Sequence, residues 1–151
     1  MKNLDEILKQ QPVFLHNWEE KIDVIGDFEE IYMNAKEYRA EKAPYANIEA
    51  WEEKKKRMAS EIEKYEPVNI LFASYGVNNY SGDAFILLEK EGKLFEVNGS
   101  HCSCMGLEGQ FDPEETTLEE IEFRLVNGKL GLDSYSDNEF ASELKMFLGV
   151  S

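Results

Sequence analysis

Hydrophobic positions change period partway along the chain. Leu4, Ile7 and Leu8 form a short amphipathic segment that Pro12 closes. From Val13 onward Leu15, Trp18, Ile22, Ile25, Phe28, Tyr32 and Ala35 recur at steps of three and four, which predicts one long helix with a single apolar face and a kink at Gly26. Pro44 breaks that pattern, and Asn47 is a candidate N-cap for a second helix. There Ile48, Trp51, Met58, Ile62 and Tyr65 follow heptad spacing. Two such helices on a short connection should pack as an antiparallel pair. The run Lys54-Lys55-Lys56-Arg57 reads as a solvated helix face, balanced by Glu49, Glu52, Glu53, Glu61 and Glu63.

After Pro67 the period shortens. Residues 69–75 read as a buried strand, and 76–82 as a loop rich in turn formers. Residues 84–88 and 93–97 flank Glu91-Gly92 as a hairpin, completing a three-stranded antiparallel sheet. Thr117 followed by Glu120 is a capping box for a helix carrying Leu118, Ile121 and Leu125, which Asn127-Gly128 stops. Ser136 with Glu139 should cap a last helix bearing Phe140, Leu144, Phe147 and Leu148. The expected order is ααβββαα: an α+β fold with an N-terminal helical pair, a three-stranded antiparallel sheet and two C-terminal helices. Its 151 residues suit one domain, a helical front over 1–66 and a mixed back over 67–151.

Charge narrows the functional classes. The chain carries 16 basic and 31 acidic residues, a net −15. Residues 1–66 hold 11 basic and 16 acidic side chains (−5), and 67–151 hold 5 and 15 (−10). Such a field repels nucleic acid and suits a basic protein partner. Aromatic residues at 12% argue for a packed core, and the lack of a long apolar run argues against a membrane span. No signal-peptide pattern opens the chain, so a reducing cytoplasm is the expected compartment.

Both cysteines and one of two histidines fall within His101-Cys102-Ser103-Cys104. Thiolate and imidazole are ligands that Zn²⁺ prefers, and a Cys-x-Cys pair closes a disulfide on itself only with strain. His101, Cys102 and Cys104 are therefore candidate zinc ligands. Asp83, Glu108, Asp112 and His16 compete for the fourth place, with Asp83 favoured because Tyr80-Ser81-Gly82-Asp83 opens the hairpin leading to the cluster. Two inert thiols and a redox pair are the alternatives.

The stretch from Ile70 to Leu118, about a third of the chain, carries Ala73-Ser74-Tyr75, Tyr80 to Phe85, Glu96 to Cys104 and Gly106 to Phe111. It resembles a family of small proteins encoded by bacterial phages and prophages. Similar acidic, zinc-containing α+β phage proteins are anti-CRISPR inhibitors of type II RNA-guided nucleases. That resemblance implies a protein without catalysis of its own, which binds the effector in the host cytoplasm and keeps target DNA from loading. Zinc would then pin the turn at 99–106, and Glu114, Glu115, Glu119, Glu120 and Glu122 would meet the basic partner. A zinc hydrolase using Glu96 or Glu108 as base is the rival class, although no His-Glu-x-x-His or His-x-Glu motif is present. A phage regulator of another basic host enzyme is a third.

Overall fold

The structure, a computed structural model, describes residues 1–103, 105–133 and 137–151. The chain opens with α1 (Leu4–Leu8). Asn3 caps it by accepting the Glu6 N–H at 2.9 Å, and the Glu6 carboxylate accepts the Asn3 N–H at 3.3 Å.

The expected long helix from Val13 is replaced by three short elements. Val13–His16 is strand β1, Lys21–Phe28 is α2 and Ala35–Arg39 is α3. β1 lies parallel to β2 (Asn69–Asn78), Val13 beside Phe72 through His16 beside Tyr75. Strand pairing satisfies the backbone that a helix would have used, and the 3.6-residue spacing holds only where Ile22, Ile25 and Phe28 face inward. Asp23 organises the segment: its carboxylate accepts N–H groups from Glu19, Glu20 and Ala35, tying the start of α2 to the start of α3. Gly26 marks a close approach rather than a kink, since a Cβ there would sit 2.4 Å from the Met33 carbonyl oxygen.

Helix α4 (Ile48–Lys64) forms as expected, with Asn47 accepting the Ala50 N–H at 3.1 Å. It buries Trp51 and Met58 and packs on α2. The basic run is not simply solvated. Arg57 donates to the Glu29 carbonyl at 3.0 Å, capping the end of α2, and Lys55 stands 4.4 Å from the Trp51 ring centre.

β2, β3 (Ser81–Lys90) and β4 (Lys93–His101) make the antiparallel core, longer than their apolar runs. The expected loop at 76–82 is a tight hairpin, its turn eased by Asn79 at φ 58°. A further strand, β5 (Glu114–Thr116), gives the order β1-β2-β3-β4-β5, a mixed five-stranded sheet rather than a three-stranded one. Among the described residues the sheet is flanked by six helices. A bulge at Leu71 puts Leu71 and Phe72 on the same face.

The sheet separates two cores. Ala73, Tyr75, Ile86, Leu88 and Val97 pack under α2 and α4 with Trp18, Phe28 and Met58. Phe72, Phe85, Leu87 and Leu94 pack on the other face against α1, α5 (Leu118–Val126) and α6 (Ala141–Leu148). Thr117 caps α5 through the Glu120 N–H. α6 begins at Phe140 without a side-chain cap, and the Ser136 expected in that role lies outside the described residues. A small pair, β6 (Leu132–Asp133) and β7 (Asn138–Glu139), leads into α6.

Candidate functional site

β4 carries the chain to the cysteine turn. His101, its last residue, stands opposite Gly82 on β3, and a Cβ at Gly82 would come within 2.5 Å of the ring. Glycine there makes room for the imidazole. Next, Cys102 and Met105 form an isolated bridge, the Cys102 N–H reaching the Met105 carbonyl at 3.1 Å. Gln110 fastens the turn from outside. Its Oε1 accepts the Ser100 N–H at 2.8 Å, and its Nε2 donates to the carbonyls of Ser100 and Gly106 at 2.7 and 2.8 Å.

On the α2 side His101 joins a polar aromatic cluster. Its Nδ1 is hydrogen-bonded to the Tyr75 hydroxyl at 2.7 Å. The Tyr75 ring lies 5.0 Å from Trp18, whose Nε1–H donates to Asp27 at 2.8 Å. Burial pushes the Tyr75 hydroxyl up, and the carboxylates of Asp27 and Glu108 add to this, so it stays protonated at neutral pH. Asp27 is exposed as a residue, yet desolvation of its carboxyl group raises its pKa, with the Trp18 bond acting the other way. Asp27, Tyr75 and His101 wall a groove of about 740 Å³ that reaches Asn17, Glu19 and Glu37. A second groove of about 440 Å³ shares Asp27, Tyr32 and Tyr75 and runs to Cys102, Met105 and Glu108. Tyr32 stands exposed between them at φ 58°, its hydroxyl donating to Glu30.

The expected zinc ligands are not all brought together. His101 and Cys102 are neighbours at the turn, Cys102 exposed, and Cys104 lies outside the described residues. Asp83 pairs with Ser100 on the opposite face of the sheet from His101, because consecutive strand residues alternate. It lines a separate pocket with Asn98, Ser100 and Lys129. Asp83 is therefore corrected as a partner of His101. Glu108 stays beside the turn and accepts the Gly106 N–H, whereas Asp112 is exposed on the approach to β5. His16 ends a strand rather than riding a helix, and its Nε2–H donates to the Glu139 carbonyl. Among the described residues, no three His, Cys, Asp or Glu side chains are grouped to hold a metal ion.

Glu96, one candidate base, is committed elsewhere. Arg124 on α5 grips both its oxygens, and Asn98 donates to it at 3.0 Å. Burial would raise the Glu96 carboxyl, but the Arg124 and Asn98 bonds prevail and hold it below the usual carboxylate range. A base so stabilised as its anion is a poor proton acceptor.

The expected partner residues lie on β5 and α5. Glu114, Glu115, Glu119 and Glu120 are exposed and Glu122 is half-buried. Glu114 stands opposite Glu96, while Glu115 stands opposite Phe95 and so on the other face. Within 114–126 the single basic residue is Arg124, which is bound to Glu96 and lies 3.3 Å from Glu120. The edge is therefore acidic with its own cation spent.

The sequence pattern assigns no site role to Tyr75, Asp27 or Tyr32. Register joins Tyr75 to His101 and helix docking brings Asp27 to Trp18, so no local spacing signals either pair. No family model matches the chain, and no curated protein or solved structure is significantly similar to it. No helix among the described residues is long and apolar enough to cross a membrane.

Proposed function

We propose that this chain is a non-enzymatic binding protein for a basic protein surface. The partner is the DNA-binding channel of a type II RNA-guided nuclease, the target that the resemblance implies. The observation that carries the reading is the β5–α5 edge, where four exposed glutamates face solvent and the only arginine is consumed by Glu96. Carboxylates so placed accelerate encounter with a basic channel and compete with the phosphates it holds. Commitment of Glu96 to Arg124 removes one of the two bases available to the hydrolase reading.

Zinc belongs to this proposal through Cys102, Cys104 and His101, without Asp83. Metal analysis of the purified chain should find zinc, and Cys102→Ser with Cys104→Ser should abolish it. Full stoichiometry in the double variant refutes the zinc assignment. Function is tested by adding the protein to a type II effector before or after target DNA and following cleavage. Inhibition is expected only when the protein comes first, and Glu114→Lys, Glu115→Lys and Glu119→Lys together should weaken it at least tenfold. Absence of inhibition across several effectors overturns the nuclease partner. Inhibition indifferent to those reversals overturns the role of the edge.

A further inference from the structure

A third groove, of about 500 Å³, opens between the end of α4 and the β3–β4 hairpin. Part of its lining is apolar: Tyr65, Val68 and Leu88 are buried, and Phe95 and Phe111 are half-buried beside them. Tyr65 and Phe111 meet edge-on with ring centres 5.0 Å apart, and Phe95 stands opposite Leu88 across the hairpin. A volume of this size with an aromatic side and four charged residues at its margin suits a small ligand carrying a ring and a charge.

The charges of the lining are unequally satisfied. Glu61 and Lys64 pair with each other at 3.1 Å, and Glu29 accepts the Tyr65 hydroxyl at 2.8 Å. Lys90 differs: among the described residues it is in no ion pair, and its cross-strand neighbour is Lys93, likewise without one. Both are exposed, and strand alternation puts them on the face of Leu88 and Phe95. Like charges directly opposite in a sheet are unfavourable, and an anion between them relieves the repulsion. They are two of only five basic residues beyond residue 66, so cationic charge at this lip stands out in an acidic half. Of this pair Lys90 lines the groove, while Lys93, like Glu115 opposite Phe95 on β5, lies just outside the lining.

We infer that this groove binds a small hydrophobic carboxylate, its ring seated among Tyr65, Phe95 and Phe111 and its anionic group at the Lys90–Lys93 lip. The inference is separate from the proposed partner edge and does not depend on it.

The test is titration of 1-naphthoate into the isotopically labelled full chain, followed by amide chemical shifts. Saturable shifts are expected at Val68, Leu88 and Phe95, with 1-naphthalenemethanol binding more weakly. Lys90→Gln with Lys93→Gln replaces exposed side chains, so the dispersed spectrum should persist while naphthoate affinity falls about threefold to fivefold. Shifts confined to other residues, no shifts up to the solubility limit, equal affinity for the alcohol, or unchanged affinity in the double variant would each overturn the assignment.

Discussion

The two faces of the sheet are finished differently. Under α5 and α6 the contacts are mainly apolar: Phe85 stacks on Phe140 at 4.8 Å, Phe72 contacts both Phe140 and Phe147, and Glu96, the one buried carboxylate among the described residues, is matched by Arg124. Under α2 and α4 the large rings carry polar atoms outward. Trp18 holds Asp27, Tyr75 holds His101 and Tyr65 holds Glu29, and each of the first three grooves described borders at least one of these groups. The chain covering this face takes left-handed backbone at Glu30 and Tyr32 instead of continuing as helix. One face thus supplies stability through packing. The other gives up apolar sealing for aromatic groups whose polar ends stay available, and three of the four grooves described open on it, the fourth lying beside Asp83 and Phe85 on the first face.

The contrast can be broken by mutation. Phe85→Ala, at a fully buried position of the α5–α6 face, should cost about 3–5 kcal/mol in urea unfolding. A comparable loss from Tyr75→Phe on the open face would erase the distinction. Arg124→Met should cost about 3 kcal/mol, because Glu96 would keep a buried charge without its partner, and adding Glu96→Gln should recover part of that.

pH separates the faces further. The Glu96 carboxyl lies below its unfolded value, so its contribution is present above about pH 4.3 and disappears as pH falls through the lowered folded value. Asp27 has the opposite sign. Its raised pKa penalises the native state at neutral pH, and stability should rise as pH falls through that value towards about 3.9. Urea midpoints followed downward from pH 7 should show this gain in the natural chain and lose it in Asp27→Asn. Tyr65→Phe, which deletes one hydrogen bond to Glu29, should cost about 1 kcal/mol. Smallest of all, reversing Glu114, Glu115 and Glu119 should change stability by no more than about 0.5 kcal/mol per site, since these side chains are exposed.

Legibility also followed the faces. Strands β2 to β4 and helices α4 and α5 are visible in the sequence because their apolar spacing, their caps at Asn47 and Thr117 and the Glu91-Gly92 turn all agree. The stretch from Val13 to Ala35 misleads because Leu15 and Trp18 fall into helical step with Ile22, Ile25 and Phe28. Whether Val13 to His16 become strand or helix is decided there by β2, far along the chain. The cysteine turn announces itself through composition. Its surroundings do not: Asp83 reads as a neighbour of His101 until strand register puts it on the other side of the sheet. Tyr75 and Asp27 reach the site only through pairing and docking, which spacing cannot express.

Gln110 has a consequence for how copies of this molecule coexist. β5 covers β4 only from Leu94 to Glu96, so Asn98 to His101 would otherwise present a bare strand edge. One amide side chain occupies both the donor and the acceptor of Ser100 there, as a neighbouring strand would. A second chain cannot zip onto that edge without first displacing it, which guards the glycine-containing end of the sheet against strand-by-strand aggregation.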